Sequence, residues 1–195
     1  LIVNRSCRIL ALAGSTRQES YNRRLVRLAA EGAREAGAET TVIDLRDYPL
    51  PLFDEDLEAR EGLPEAARQL RAAFQAHDGL LIASPEYNSS LPAVLKNAID
   101  WLSRPQPGEA PLACFNGKVA AILSASPGAL GGLRGLVHLR AILSNINVLV
   151  LPEQIAVPRA HEAFADGNRL RDEAQHRAVL RLGARLVEVV RRLAG

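Results

Sequence analysis

The sequence predicts a doubly wound α/β domain, a five-stranded parallel sheet with helices on both faces. Five short, nearly continuous apolar runs recur along the 195 residues, the mark of strands buried on both sides. Between them lie segments with apolar residues three and four apart, the spacing of amphipathic helices. No shift in composition divides the chain, so residues 1–195 read as one domain without linker or repeat.

The first run, residues 7–13 (CRILALA), ends at Gly14 and passes through a polar loop into a helix over 20–36. TVIDL at 41–45 is the second strand, and a helix over 64–76 leads to the third, GLLIA at 79–83. A helix over 91–103 precedes KVAAIL at 118–123, and one over 133–143 precedes VLVL at 148–151. Residues 152–165 show no period and read as a long loop, a length often tied to function or to an interface. The last helix, about 168–193, sets Val179, Leu182, Leu186, Val189, Val190 and Leu193 on one stripe with arginines opposite. Crossovers in such a sheet are right-handed, which distributes the helices over both faces.

Composition narrows the function. Lys and Arg number 24 against 22 Asp and Glu, a net charge of +2, and no basic stretch interleaves with aromatics, so nucleic acid is not the expected partner. Cys7 and Cys114 lie far apart with no CxxC pair, which suggests two buried small hydrophobes rather than a disulfide or a metal site. Apolar runs fall short of the roughly 18 residues of a membrane span, and the first residues lack the pattern of a secretory leader. A cytoplasmic protein without a membrane segment is expected.

Ligands of such sheets sit at the carboxyl ends of the strands, and three loops there are unusual. After the first strand, Gly14 allows a turn, and Ser15, Thr16, Arg17, Ser20 and Asn22 surround a helix start with short donors and one permanent cation. Free amides of a first helical turn favour an anion, and a phosphate fits; a Ser20 that only caps the helix is the plainer alternative. Neither GxxxxGK nor GxGxxG occurs. After the third strand, Pro85 and Pro92 bracket a stiff loop whose peptide groups could face a planar heterocycle, with Tyr87 offering an aromatic face and Trp101 assigned to the core. After the fourth, Gly128, Gly131 and Gly132 let backbone approach a ligand closely. Arg134 in the following first turn opposes the helix dipole and calls for a nearby acid, such as Glu153 of its own or a neighbouring chain.

The stretches GSTRQESYN at 14–22, PLPLFDEDLE at 49–58, PEYNSSLPAVLKNAIDWLSR at 85–104 and SPGALGGLRGLVHLR at 126–140 together resemble the NADPH-dependent FMN reductase family. That resemblance implies a flavodoxin-like sheet of order 2-1-3-4-5 and bound FMN. It places the phosphate on Ser15, Arg17, Ser20 and Asn22, and the isoalloxazine on Pro85, Glu86, Tyr87, Asn88, Ser124 and Gly128, much of it through backbone groups. Thr16 stands where many relatives carry an apolar residue.

The resemblance further implies ping-pong transfer of hydride from NADPH or NADH to the flavin and of two electrons to a small-molecule acceptor, whether quinone, azo compound, metal oxyanion or flavin. The flavin carries this chemistry, so no catalytic acid or base and no metal are expected, and His77, His138, His161 and His176 read as structural. A homodimer or homotetramer is implied, with the helix bearing Asn97, Asp100 and Trp101 as a contact. Two other functions share the fold: a reductase that treats flavin as a diffusible substrate for a partner monooxygenase, and a flavodoxin-type electron carrier.

Overall fold

A computed structural model describes residues 6–194; the residues before Ser6, on which the leader reading depends, lie outside the described part. Within it the strands are β1 (Arg8–Ala13), β2 (Glu39–Asp44), β3 (Gly79–Ala83), β4 (Val119–Ala125) and β5 (Leu149–Val157). They pair in parallel in the order β2-β1-β3-β4-β5, as the resemblance implied. The helices are α1 (Tyr21–Glu35), α2 (Glu55–Glu61), α3 (Glu65–Gln75), α4 (Ala93–Leu102), α5 (Leu133–Asn145), α6 (Ala160–Ala163) and α7 (Glu173–Ala194).

The alternation of strand side chains divides the core into two layers. Ile9, Ala11 and Ala13 of β1 point with Leu81 and Leu123 into a cluster closed by α1 and α7. Leu10 and Leu12 point the other way with Leu80 and Ile122, into a cluster closed by α3, α4 and α5. Every residue of β3 and β4 is buried, which is why those runs carry no polar alternation.

Two elements depart from expectation. β5 does not stop at residue 151 but continues to Val157, with a register shift against β4 that carries Pro152 along the sheet edge. An edge strand tolerates a proline because only one side of it pairs. Residues 160–165, read as patternless loop, fold back onto α1 together with 166–170, and the last helix begins at Glu173 rather than near 168. Phe164 stacks on Tyr21 with ring centroids 5.9 Å apart, Leu170 is fully buried, and Arg24 Nε donates to the Gly167 carbonyl at 2.6 Å. The second departure is α2, a short helix with no buried residue, started by Asp54, whose side chain accepts from the Asp56 and Leu57 amides. With no apolar face it leaves no periodic signal.

α1 and α7 cross so closely that a Cβ on Gly32 would stand 2.0 Å from the Leu180 carbonyl oxygen, and one on Gly183 2.0 Å from that of Ala29. Gly32→Ala must push the two backbones apart. It is expected to destabilise the protein by about 2–3 kcal/mol, a fall in Tm of roughly 5–10 °C by calorimetry.

Candidate functional site

The three singled-out loops all lie at the carboxyl ends of β1, β3 and β4. In the first, Ser15 and Ser20 are buried while Thr16 and Arg17 are exposed. Ser15 Oγ accepts the Arg17 amide at 3.3 Å. Ser20 holds the N-cap place in extended backbone, yet its hydroxyl makes no capping bond, so the plain capping role fails. The first-turn amides of α1 have no acceptor inside the helix, as at any helix start. Arg17 lies over the Tyr21 ring at 5.1 Å and donates to the Glu19 carbonyl, and it has no carboxylate partner among the described residues. Gly14 serves packing rather than a turn, since a Cβ there would stand 2.8 Å from Leu95 Cδ2.

Asn22 differs from the expectation that it faces a phosphate. Its side chain is 2% exposed and bonds both backbone groups of Ala125, Nδ2 donating to the carbonyl at 2.8 Å and Oδ1 accepting the amide at 2.9 Å. It ties the first loop to the end of β4.

In the loop after β3, backbone pairing adds to the constraint of the two prolines. Tyr87 and Ser90 exchange backbone hydrogen bonds of 2.9 and 3.1 Å around Asn88 and Ser89, both in the left-handed region at φ 52° and 66°. This is a tight two-residue turn of the type that twists with a hairpin. The Tyr87 ring is 55% exposed, whereas Trp101 is fully buried. Glu86 turns inward: its side chain is 8% exposed and accepts from Arg134 Nε at 2.8 Å and from the amides of Arg134 at 3.0 Å and Gly135 at 3.3 Å. The acid that Arg134 calls for is therefore Glu86 and not Glu153, which lies 3.6 Å from Arg185. Burial pushes the Glu86 carboxyl up, but the Arg134 guanidinium and the two amides outweigh it and hold the group below the usual carboxylate range.

After β4, the glycines fit the chain to itself. A Cβ on Gly132, at φ 89°, would meet Ser124 Oγ at 1.9 Å, and one on Gly131 would meet the backbone of residues 157 and 158 at 2.7–2.8 Å. Only at Gly128, of these three, is the surrounding space open apart from Ser126 Oγ at 3.7 Å. Ser124 Oγ is buried and lacks a hydrogen-bond partner among the described residues.

On the helix thought to face a neighbouring chain, Asn97 and Trp101 bind within the chain. Asn97 donates to the Pro51 carbonyl and accepts the Phe53 amide, both at 2.8 Å, and Trp101 Nε1 donates to the same carbonyl at 2.8 Å. They pin the segment at 49–53 against α4. The cysteines are buried as expected, and burial pushes the Cys114 thiol up to about 11. His77 closes α3, its Nδ1 2.6 Å from the Ala73 carbonyl. Sequence reasoning missed a polar cluster at the end of β2, where Asp44 joins Arg23 and Arg46 at 2.6 and 2.9 Å. A strand ending in Asp two residues before Arg46 was the available signal.

Sheet order and loop placement define a flavodoxin-like domain. Residues 7–162 match the profile of the NADPH-dependent FMN reductases, and the chain belongs to that family of oxidoreductases, whose cofactor is FMN and whose electron donor is NAD(P)H. It is 38% identical over 189 residues to an NAD(P)H-dependent FMN reductase of Pseudomonas aeruginosa, covering 96% of this chain and 97% of that one. It is likewise 38% identical over 146 residues to a quinone reductase of Escherichia coli, covering 73% and 72%. The solved structure of FerB, a flavoenzyme NAD(P)H:(acceptor) oxidoreductase from Paracoccus denitrificans, superposes with a TM-score of 0.80 at 27% identity, over 95% of this chain and 98% of FerB. Among the described residues no helix is long and apolar enough to cross a membrane.

The Glu86 contacts give a pH signature. A carboxylate whose folded pKa is lowered stabilises the fold fully above its unfolded pKa, about 4.3, and loses that contribution as pH falls through the folded value. Glu86→Gln is therefore expected to unfold at lower urea than the native protein at pH 7, and the gap is expected to narrow as the pH falls below about 4.3.

Proposed function

We propose that this chain uses NADPH or NADH to reduce a small-molecule acceptor through FMN held across the loops after β1, β3 and β4. The observation that carries the reading is Arg17, a cation without a carboxylate partner, beside the buried Ser15 and Ser20 at the amino end of the 15-residue α1. This donor set fits a phosphate monoester: short hydroxyls, first-turn amides and one permanent charge. When bound, FMN supplies the redox chemistry, taking a hydride equivalent from the nicotinamide and passing two electrons to a quinone, azo, metal-oxyanion or flavin acceptor in alternate half-reactions.

The protein's own part is to bind and orient. Ser15, Arg17 and Ser20 hold the phosphate, and Asn22 holds the loop that carries them. Pro85, Glu86, Tyr87 and Asn88 present the turn after β3 to the ring, with the Glu86 carboxylate directed into α5 and the Tyr87 ring exposed. Ser124 and Gly128 bound the ring on the β4 side, and the open space at Gly128 supports a close approach there. A homodimer or homotetramer belongs to the same reading. Leu130, Leu133 and Val137, exposed by 53%, 41% and 58% beside the same loops, support α5 rather than α4 as the contact.

The test is a visible spectrum of FMN-supplemented, desalted protein, followed by anaerobic addition of NADPH and, separately, NADH. Flavin bands that survive desalting and bleach with either nucleotide are expected. Retained flavin that does not bleach would mark an electron carrier, and lost flavin with saturable kinetics in added FMN a reductase of diffusible flavin. Arg17→Ala is expected to weaken FMN by roughly tenfold or more while leaving riboflavin affinity nearly unchanged, since only FMN carries the phosphate. Equal losses, measured by fluorescence titration, would refute the phosphate assignment.

A further inference from the structure

Two cavities flank the carboxyl end of β2 and share Arg46 as a wall. One, of about 390 Å³, opens beside Thr16 of the first loop and is walled by Leu45, Tyr48, Leu50 and Val94. Its lining is mostly apolar, with Thr16, Arg46 and Asn97 as the polar members, and carries one aromatic ring, the surroundings a flat heterocycle takes. The other, of about 320 Å³, is lined by Arg23, Arg27 and Arg46 together with Asp44 and Asp47.

Asp44 is the internal counter-ion of this second cavity. Its Oδ2 accepts Arg46 Nε at 3.0 Å and Nη2 at 2.9 Å and meets Arg23 Nη2 at 2.6 Å, while Oδ1 accepts the Arg46 amide at 3.1 Å. Burial pushes its carboxyl up, but the bonds from Arg46 and the Arg23 charge outweigh that and hold it below the usual range. Asp44 thereby fixes both guanidiniums. Arg23 is engaged a second time, donating from Nη1 to the Gln18 carbonyl at 2.9 Å, which links the cluster to the first loop. Arg46 keeps Nη1 unbonded, and Arg27 has neither a hydrogen-bond nor an ion-pair partner among the described residues. Asp47 is exposed, as are Arg27 and Arg46, so solvent screens all three alike. Three arginines against two carboxylates leave an excess positive charge facing the cleft.

We propose that this cleft binds the phosphate on the adenosine ribose of NADPH, with Arg27 and Arg46 as the residues that select the phosphorylated dinucleotide over NADH, and with the adjoining apolar cavity taking the adenine. The inference rests on the proposed function, in which a pyridine nucleotide is the electron donor. A phosphomonoester carries about −1.5 to −2 charge at neutral pH and takes arginine forks in preference to other donors. The position is also suitable. β2 lies two strand spacings from β3 and three from β4, about 10–14 Å, which two linked nucleotides bridge when the nicotinamide sits at the loops after those strands. The oxygens of Asp44 are already occupied by Arg23 and Arg46, so this carboxylate is not free to accept an unphosphorylated ribose hydroxyl.

The test uses FMN-loaded protein, native and with Arg27→Ala or Arg27→Lys. Calorimetric titration with adenosine 2′,5′-bisphosphate and with adenosine 5′-monophosphate reads binding, and steady-state kinetics with NADPH and NADH read selection. The native protein is expected to bind the bisphosphate at least about tenfold more tightly than the monophosphate. Arg27→Ala is expected to remove most of that difference and to lower the NADPH:NADH ratio of kcat/KM by a similar factor, through KM. Arg27→Lys is expected to restore part of both, a point charge replacing the fork. Equal affinity of the native protein for the two adenosine phosphates, or an NADPH:NADH ratio untouched by Arg27→Ala, overturns this inference alone. Flavin reduced by neither nucleotide overturns the proposed function and this inference with it.

Discussion

The Asn22 carboxamide answers a constraint that a parallel sheet creates for itself. β1 and β4 both deliver loops to the same edge, but β3 lies between them, so no ladder hydrogen bond can set the height of one loop against the other. Asn22 makes that missing pair with its side chain, one donor to the Ala125 carbonyl and one acceptor for the Ala125 amide. At 2% exposure these groups have no water to turn to, and loss of the side chain would leave two backbone groups unsatisfied. The start of α1, the serines around it and the turn after β4 are therefore positioned together.

Glu86 does for the β3 loop what Asn22 does for the first, and it resolves an electrostatic conflict as well. A guanidinium in the first turn of α5 faces the positive end of the helix. The Glu86 carboxylate meets the guanidinium and the first amides at once, so one buried anion neutralises both. The chain approaches closely enough because residue 135 is glycine: a Cβ there would stand 3.2 Å from the Ser90 carbonyl oxygen. A carboxylate used in this way has its oxygens directed into α5. What the PEYN segment exposes is the Tyr87 ring, while the Tyr87 amide and carbonyl are spent on Ser90.

How far the sequence discloses this depends on where each signal is stored. β1, β3 and β4 are legible because burial on both faces leaves the runs apolar apart from Arg8 and Ser124, and α1 and α7 because each buries one stripe. β5 beyond Pro152 is not, since an edge strand half open to solvent alternates irregularly and contains the residue that normally ends strands. The loop positions are legible from the strand ends alone. The partners are not, because they depend on adjacency in the sheet. The conflict at Arg134 is visible in the sequence, but the choice between Glu86 and Glu153 is settled only by β3 lying next to β4. Gly131 and Gly132 show the same limit: their freedom serves the close contact with Ser124 and residues 157 and 158, an internal fit that composition cannot separate from space for a ligand.

These ties also bear on what the loops can do to a substrate. Glu86 is ionised and saturated with donors, the Asn22 amide is held by Ala125, and burial keeps Cys114 a thiol. His138 is exposed, with Nδ1 2.9 Å from Ser90 Oγ on the outside of the turn. Glu86 and Arg134 are thus committed to holding the loops after β3 and β4 together. On the proposed function, selection between acceptors then falls to the shape of the space over the ring, bounded by Tyr87, Gly128 and the apolar residues at the start of α5. Shape discriminates by excluded volume and by contact area, and removal of a single methylene changes such a preference by only about 1–3 kcal/mol. A site organised in this way admits several planar electron acceptors and rejects bulky ones, whereas its charged groups act on the phosphates that the cofactor and the donor bring with them.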